Sequence, residues 1–359
     1  MGNRSRFAGG LRVKVVQVVP RYPPHTGGVE THVKEVSEGL VERGHDVTVV
    51  TADWGTGVSR TETRDGVDVR RHRGFAPRHS FHIAPGMVRS VRQVNPDVVH
   101  AHNYHSLPVL FGALAADDAR FVVTPHYHGE SASSFRDRLL ALYRPVGGWV
   151  LRRANAVVAV SQWERARLSA DFGVEASVVP NGVDLARFRD VEPVERDDPY
   201  LLTVGRLEEY KGVQHAIRAL VKLADYELLV AGSGDYREHL REVAHEAGVA
   251  DRVTFLGYVT DEELPGLYAG AAAHLTLSAF EAYGMTVGES LAAGTPCVVR
   301  NQGALADWAE IEGCVGVADV RPETVAEAVA TAVGRETAPE SLPTWDEVVE
   351  GVARFYVES

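Results

Sequence analysis

Residues 273–299 contain a strand, a loop, a short helix and a second strand, and this order constrains the fold more than any other part of the chain. The apolar run 273–277 is typical of a buried strand. Helix-forming residues at 286–293 lie between Gly284 and the stop signal Gly294-Thr295-Pro296. Strands and helices that alternate in this way predict an α/β fold with a parallel sheet.

The amino-terminal half begins with the same alternation. The apolar run 13–19 is followed by apolar positions within 29–40 that are spaced four, three and four residues apart, and then by the run 47–50. This pattern predicts a β-α-β unit, in which ligands bind at the carboxyl edges of the strands. The Gly27-Gly28 pair lies at such an edge, where missing side chains allow a phosphate or sugar to approach the backbone. Taken alone, a glycine pair is more often only a turn.

The size and charge of the chain limit its fold and function. A length of 359 residues leaves room for two domains, and a net charge of -12 argues against binding to nucleic acid. No apolar run approaches the ~18 to 20 residues that a membrane span needs. Cys297 and Cys314 lie in strand-like runs, which favours reduced core cysteines in a cytoplasmic protein.

Two carboxylates flank the start of the helix predicted at 286–293. Amide groups near Gly284, Met285 and Thr286 favour an anion such as a phosphate, because the helix dipole lies behind them. Glu281 and Glu289 are placed to accept hydrogen bonds from the hydroxyls of a sugar or ribose. Together these groups predict a sugar-nucleotide site. The alternative is a surface helix with a glutamate in its first turn.

Two cations follow the predicted strand 200–204. Arg206 and Lys211 are five residues apart at its carboxyl edge. A leaving diphosphate gains negative charge as its bond to the sugar breaks, and fixed cations stabilise that charge where no metal does so. Arginine offers a bidentate fork and lysine a point charge. An ordinary surface Arg and Lys is the alternative.

Histidines collect after two further predicted strands, at His100, His102, His105, His126 and His128. His-x-His after a strand suggests a metal site. A short motif of this kind is weak evidence for a metal by itself, so we predict no metal. For His100, His102 and His128 we favour structural roles. The chain also lacks any Asp-x-Asp sequence, which argues against metal-dependent single-domain glycosyltransferases.

Several motifs in order resemble the retaining glycosyltransferases of family 4, also called glycosyl transferases group 1. The motifs are Gly-Gly-Val-Glu-Thr-His at 27–32, Thr-Pro-His at 124–126, Pro-Asn-Gly-Val-Asp at 180–184, Gly-Arg-Leu-x3-Lys-Gly at 205–212 and Glu-x7-Glu at 281–289. The resemblance runs from about residue 13 to the end. It implies a GT-B architecture, with two Rossmann-like domains facing a cleft, at 11–190 and 198–340. It also implies that a terminal helix, 344–359, returns to the first domain.

The resemblance implies transfer of a hexose-type sugar from a nucleotide-diphosphate sugar to an acceptor hydroxyl, with retention and without a metal or cofactor. Arg206 and Lys211 then bind the diphosphate, Glu281 and His126 hold the sugar, and Glu289 binds the ribose. The donor phosphate takes the acceptor proton, with a covalent role for Glu281 as the lesser alternative. The remaining residues implied to contact the donor are Gly27, Gly28, Tyr258, Tyr283, Gly284, Met285 and Thr286.

Other activities remain open at this point. A GT-B epimerase, a phosphorylase and a non-catalytic nucleotide-sugar sensor share these features. Gly232-Ser233-Gly234 resembles a dinucleotide loop, but Arg237 stands where its third glycine belongs, which makes a nicotinamide dehydrogenase a weak alternative. The base, among UDP, GDP and ADP, and the acceptor also stay open.

Two helical stretches and one basic region complete the sequence predictions. Ser161-Gln162-Trp163-Glu164 is a capping-box pattern that starts a helix. The stretch 135–151 predicts an amphipathic helix broken near Pro145. The region 60–92 is rich in Arg and His, including Arg78 and His79, and we interpret it mainly as solvated surface. A lipid-linked or anionic acceptor and peripheral contact with the inner membrane face are alternatives for this region.

Overall fold

The computed structural model describes residues 6–7, 10–52, 57–75, 82–129 and 134–357. These residues form two compact units. The first unit holds the described residues up to Gly129, those from 134 to Gly182, and the carboxyl-terminal stretch from Trp345. The second unit holds Val183–Thr344. Arg78 and His79 lie outside the described residues.

The first unit is built on an eight-stranded sheet in the order β10-β9-β8-β7-β3-β4-β6-β5. All neighbouring strands are parallel except the antiparallel pair β5 and β6. A separate two-stranded sheet pairs β1 with β2. The strands are β1 (Arg6–Phe7), β2 (Gly10–Leu11), β3 (Lys14–Val19), β4 (Asp46–Thr51), β5 (Thr61–Arg64), β6 (Val67–Arg71), β7 (Val98–His102), β8 (Arg120–Thr124), β9 (Ala156–Ala159) and β10 (Ser177–Val178).

Helices cover the strands of this sheet. They are α1 (Gly28–Glu42), α2 (Gly86–Val94), α3 (Pro108–Ala115), α4 (Ser134–Arg153), α5 (Gln162–Phe172) and, at the end of the chain, α13 (Trp345–Val357). Strand β3 is buried along nearly all its length, as expected for a parallel strand covered on both faces. The predicted apolar positions Val33, Val36 and Leu40 are the buried face of α1.

The carboxyl-terminal helix α13 packs in the first unit. Val348, Val349, Val352 and Tyr356 are buried in the core that also holds Val33, Val36 and Leu40 of α1. At Gly39 of α1, an added Cβ would lie 2.7 Å from a methyl carbon of Val349. A larger residue there would push the two helices apart, so Gly39 allows α13 to lie close against α1.

Helix α5 begins at a side-chain cap. The Ser161 hydroxyl accepts a hydrogen bond from the Glu164 amide at 3.0 Å, as the capping-box pattern predicts. The Glu164 carboxylate accepts from the amides of Val160, at 2.7 Å, and Tyr127, at 2.5 Å. This glutamate therefore connects the helix start to the segment after β8, a contact that the local pattern does not predict.

Two sequence predictions for the first unit are corrected. The helix α4 continues through Pro145, which we predicted to break it. The second half of α4 is held by packing, since a Cβ at Gly147 would overlap the Tyr104 ring. Within the basic region, Arg71 is 5% exposed and forms an ion pair with Glu62, so it is a buried structural residue of the β5–β6 hairpin.

No helix among the described residues combines the length and apolar character that crossing a membrane requires.

The second unit contains a six-stranded, wholly parallel sheet in the order β13-β12-β11-β14-β15-β16. Its strands are β11 (Tyr200–Val204), β12 (Glu227–Ala231), β13 (Val253–Gly257), β14 (Ala273–Thr276), β15 (Cys297–Arg300) and β16 (Cys314–Val317). Its α-helices are α6 (Leu185–Phe188), α7 (Val213–Ala219), α8 (Arg237–Glu246), α9 (Leu264–Gly270), α10 (Met285–Ala292), α11 (Leu305–Trp308) and α12 (Pro322–Ala332). The two α/β units with parallel sheets confirm the predicted fold class. Cys297 and Cys314 are buried free thiols on neighbouring strands, as predicted.

Replacing Ser161 by Ala is expected to destabilise the start of α5 by about 1 kcal/mol, because the Glu164 amide loses its partner. Hydrogen exchange at the first-turn amides of α5 measures this change. Ser169→Ala, at an exposed position of the same helix, is the matched control and should change stability by less than about 0.5 kcal/mol. Equal protection of the Glu164 amide in wild type and Ser161→Ala would contradict the assigned cap.

Candidate active site

In the second unit, a loop held by backbone contacts carries the two predicted diphosphate cations. The loop after β11 begins at Gly205, whose amide donates to the Ala231 carbonyl at 3.0 Å. The Leu207 amide donates to the Ser233 carbonyl at 2.9 Å. A Cβ at Gly232 would overlap the carbonyl of Gly205, and Gly232 also has a φ of +135°. The glycines that resembled a dinucleotide loop therefore support the loop that carries Arg206.

Lys211 and Glu281 form a partly buried ion pair. The Lys211 ammonium lies 2.5 Å from Oε1 of Glu281, and the two side chains are 21% and 19% exposed. The Ser278 hydroxyl donates to the same carboxylate oxygen at 2.9 Å. Sequence analysis gave Ser278 no role, although it stands three residues before Glu281. The pair joins the turn after β11 to the loop after β14.

Gly212 allows the turn after β11 to contact the loop after β14. Gly212 follows Lys211 with a φ of +74°, and a Cβ there would overlap the Leu277 carbonyl at the end of β14. The Ala279 amide donates to the Tyr210 carbonyl at 2.7 Å. The Tyr210 and Phe280 rings stack in parallel with centroids 4.2 Å apart. Backbone and aromatic contacts thus fix the position of the Lys211 side chain.

The charge of Lys211 is maintained by its surroundings. Burial acts to lower the pKa of Lys211, but the Glu281 charge and the Tyr210 side chain outweigh burial and raise this pKa above its usual value. The Lys211 ammonium also lies 5.3 Å from the centroid of the Tyr210 ring. Lys211 is therefore a protonated cation over the physiological pH range.

Arg206 differs from Lys211 in its exposure. Its side chain is 70% exposed, and its guanidinium lies 2.9 Å from Glu208 and donates to the Tyr210 hydroxyl at 3.2 Å. An exposed ion pair contributes little to stability. The guanidinium can therefore turn toward an anionic ligand at small cost.

The residue that precedes α10 is Gly284, which has a φ of +101°. A Cβ at Gly284 would lie 3.0 Å from a Leu305 methyl carbon and 3.3 Å from the Trp308 indole nitrogen. That nitrogen donates to the Tyr283 carbonyl at 2.7 Å, which fixes the turn. Within the described part of the chain, no side chain caps this helix start. Its first amides, at Met285 and Thr286, have no intrahelical partner and are suited to bind an anion.

One pocket brings four of the predicted site residues together: Arg206, Lys211, Glu281 and Thr286. Strand ends 203–205 and 275–276 form its floor, at the carboxyl edge of the sheet. This is the edge at which ligands bind in open parallel sheets. The two cations and the start of α10 thus surround one space in the second unit.

Other predicted donor residues of the second unit lie outside this pocket lining. Glu289 is held by the Tyr268 hydroxyl, which donates to it at 3.0 Å, and burial raises the pKa of Glu289. Sequence analysis missed Tyr268, which no local pattern connects to Glu289. Tyr283 is buried with its ring against Trp308, whereas Tyr258 is 65% exposed.

The first unit holds the remaining predicted residues, Gly27, Gly28 and His126. Gly27 and Gly28 form the start of α1. His126 follows β8 with a φ of +46° and is 6% exposed. Burial lowers the pKa of His126, so its imidazole is neutral. The His126 ring lies beside the rings of His32 and His102, with centroids 5.0 and 5.9 Å away.

Comparisons with known proteins agree with this geometry. The family model described as Glycosyltransferase Family 4 matches residues 26–187, and the one described as Glycosyl transferases group 1 matches residues 186–342. The chain is 30% identical to a glycogen synthase of Mycobacterium tuberculosis over 339 residues, which cover 85% of this chain and 82% of the relative. It is also 30% identical to the GDP-mannose-dependent alpha-(1-6)-phosphatidylinositol monomannoside mannosyltransferase of the same organism, with 88% of each chain covered.

Solved structures share the fold at lower identity. Sucrose-phosphate synthase from Thermosynechococcus elongatus has a TM-score of 0.76 at 20% identity, and the match covers 96% of this chain and 95% of that one. The Anabaena protein HepE in complex with UDP-glucose has a TM-score of 0.70 at 18% identity, covering 95% and 94%. These likenesses support the GT-B fold that the sequence predicts.

Replacing Glu281 by Gln is expected to lower the pKa of Lys211 below its usual value, because burial then acts without the opposing carboxylate. NMR titration of the lysine side chains measures this pKa, and the chain has only four lysines to assign. Glu208→Gln, which removes the exposed partner of Arg206, is the control and should leave the Lys211 titration nearly unchanged. A Lys211 pKa that stays raised in Glu281→Gln would refute the assigned cause.

Proposed function

This chain belongs to glycosyltransferase family 4, the glycosyl transferases group 1, and we propose that it moves a hexose from a nucleotide-diphosphate sugar to an acceptor hydroxyl with retention of configuration. The enzyme is a glycosyltransferase that uses a nucleotide sugar. The retaining course, the roles of single residues and transfer without a metal on the diphosphate are parts of the proposal. The pocket that places Arg206, Lys211 and the start of α10 around one space is the observation that carries it.

The proposed role of this pocket is to stabilise the departing diphosphate. As the bond between the anomeric carbon and the phosphate oxygen breaks, the bonding electrons move to that oxygen. Lys211 presents a fixed cation, held by Glu281 and Tyr210. The amides of Met285 and Thr286 offer donors backed by the helix dipole, and Arg206 turns in from solvent. Fixed groups of this kind need little reorganisation during the reaction.

The new bond forms on the face that the diphosphate leaves. The acceptor oxygen bonds to the anomeric carbon, and the acceptor proton passes to the departing phosphate oxygen, so charge and protons balance. Glu281 is already engaged by Lys211 and Ser278, which supports a positioning role at the sugar over a covalent one. His126, neutral and buried, is assigned to the sugar in the same proposal.

The other contacts with the donor are assigned from where each residue lies in its unit. Glu289, oriented by Tyr268, is assigned to the ribose hydroxyls. Tyr258, exposed after β13, is assigned to the base. Tyr283 and Gly284 shape the turn before α10, and Gly27 and Gly28 are assigned to the diphosphate from the first unit.

The acceptor is proposed to be a lipid-linked or anionic alcohol. The helix α4 exposes Leu142, at 77%, and Trp149, at 43%, and Arg153 lies over the Trp149 ring. Apolar side chains interleaved with arginine suit the surface of an anionic lipid layer. A transfer rate that anionic vesicles leave unchanged with every acceptor tried would remove this part of the proposal.

Replacing Lys211 by Met is expected to lower the rate of transfer by about 100- to 1,000-fold, because the departing diphosphate loses a fixed cation. Arg206→Met should lower it less, since its exposed guanidinium must reorient. Single-turnover assays and calorimetric binding of the nucleoside diphosphate measure both effects. Lys222→Met, which removes an exposed lysine paired with Glu323, is the control and should keep the wild-type rate. Wild-type transfer and affinity in Lys211→Met would refute the assigned role.

A thermal-shift screen with UDP-, GDP- and ADP-sugars in EDTA is expected to show one class of donor that raises the melting temperature, because a ligand of the native state stabilises it. That donor should then be consumed in EDTA with an acceptor alcohol. Donor binding with neither transfer nor slow hydrolysis would indicate a sensor, and turnover with free phosphate alone a phosphorylase. Either result would contradict the proposed reaction.

A further inference from the structure

Three buried histidines from separate elements of the first unit converge. His32 lies on α1, His102 ends β7, and His126 follows β8. His32 and His102 are fully buried and His126 is 6% exposed. One ring nitrogen from each histidine lies within 4.8 Å of the other two. His32 lies far from the other two histidines in sequence, so no local pattern connects it to them.

Hydrogen bonds on the far side of two rings fix which nitrogens carry protons. His32 Nδ1 lies 2.8 Å from Oδ1 of Asn181, and His102 Nε2 lies 2.8 Å from Oε1 of Gln17. Carboxamide oxygens only accept, so both of these ring nitrogens carry hydrogen. The amide nitrogen of Gln17 donates to the Tyr356 hydroxyl at 3.3 Å, which holds the carboxamide in this orientation.

The opposite nitrogens of His32 and His102 then carry lone pairs. Among the described residues, no hydrogen-bond partner reaches His32 Nε2, His102 Nδ1 or His126 Nε2. A buried polar atom without a hydrogen-bond partner is destabilising. Three such atoms at one point call for a shared ligand.

We propose that His32, His102 and His126 form a binding site for a divalent transition metal of the zinc class. Imidazole nitrogens suit zinc, cobalt, nickel and copper, whereas magnesium and calcium prefer oxygen. The amide partners Asn181 and Gln17 stand where metal-bound histidines commonly have hydrogen-bond acceptors. Three histidines around zinc leave a fourth position for water or another ligand.

The three histidine side chains need to shift only slightly to bind one zinc ion. Nitrogens about 2.0–2.1 Å from a tetrahedral zinc lie about 3.3 Å apart. The three ring nitrogens, now within 4.8 Å of one another, reach that spacing through side-chain shifts that leave the strands in place. A buried water that bridges the same three atoms is the competing occupant.

The metal site and the proposed reaction are tested by different measurements. The histidines belong to the first unit, whereas the pocket with Lys211 belongs to the second. Metal would occupy His126, a residue that the proposed function assigns to the sugar, so zinc is expected to slow transfer. Metal binding itself is measured without any donor or acceptor. Failure of either proposal therefore leaves the other standing.

The experiment compares two neighbouring histidines of β7. His102→Gln removes a proposed ligand, and His100→Gln is the matched control. His100 is equally buried, but its nitrogens are already engaged, with the Tyr356 hydroxyl at 2.7 Å and the Thr124 hydroxyl at 2.8 Å. The purified full chain is stripped with EDTA and titrated with zinc by calorimetry. Cobalt is added in parallel to record the absorption of tetrahedral coordination.

Wild type and His100→Gln are expected to bind one zinc, to show tetrahedral cobalt bands and to melt at a higher temperature with zinc but not with magnesium. His102→Gln should bind zinc at least about 100-fold more weakly. His32→Gln repeats the test if His102→Gln does not fold. Two results would overturn the proposal in favour of a buried water. The first is zinc binding that neither His102→Gln nor His32→Gln weakens. The second is a wild type that binds no more zinc than these two variants.

Discussion

The ion pair between Lys211 and Glu281 organises the pocket in the second unit. Its members are 70 residues apart in sequence and meet because β11 and β14 are neighbours in a parallel sheet. Parallel strands bring their carboxyl ends to one edge, so the loops that follow them lie side by side. Burying either charge alone would be costly, and their mutual attraction with the added Ser278 hydrogen bond offsets that cost. The cation is thereby held where it can meet an anion.

Backbone packing gives this pair its position. Gly212 and Gly232 stand where a side chain would collide with a carbonyl of a neighbouring loop. Gly284 turns the chain into α10 under Trp308. These positions require glycine for close approach or for a positive φ, so backbone contacts fix the loops that carry the side chains of the pocket.

The buried polar groups around the histidines of the first unit differ from the Lys211–Glu281 ion pair of the second unit. Burial lowers the pKa of His32, His100, His102 and His126. The first three of these histidines are hydrogen-bonded to amide or hydroxyl groups of other elements. Tyr356 of α13 contacts both His100 and Gln17, so the last helix of the chain completes the network around the histidines. The same helix covers the apolar face of α1. The carboxyl-terminal segment thus supports both the core of this unit and the orientation of its histidine cluster.

Local sequence predicted several strands, among them β3, β4, β11 and β14, together with the start of α10 after Gly284, the cap at Ser161 and the placement of Arg206 and Lys211 after a strand. These features depend on residues within a few positions of one another, so pattern and propensity suffice. Pro145 was the exception, because α4 continues through a residue that usually breaks a helix. Arg71 was likewise assigned to the surface because nothing local shows that Glu62 binds it.

Tertiary structure alone decided which distant groups meet. Strand order placed Glu281 on Lys211, and helix packing placed Tyr268 on Glu289. The crossing of α1 over the sheet brought His32 to the histidines of β7 and the β8 loop. No spacing along the chain encodes these contacts, because each depends on how separate elements pack in space. The sequence therefore specified the chemical groups and their elements, and the fold specified their partners.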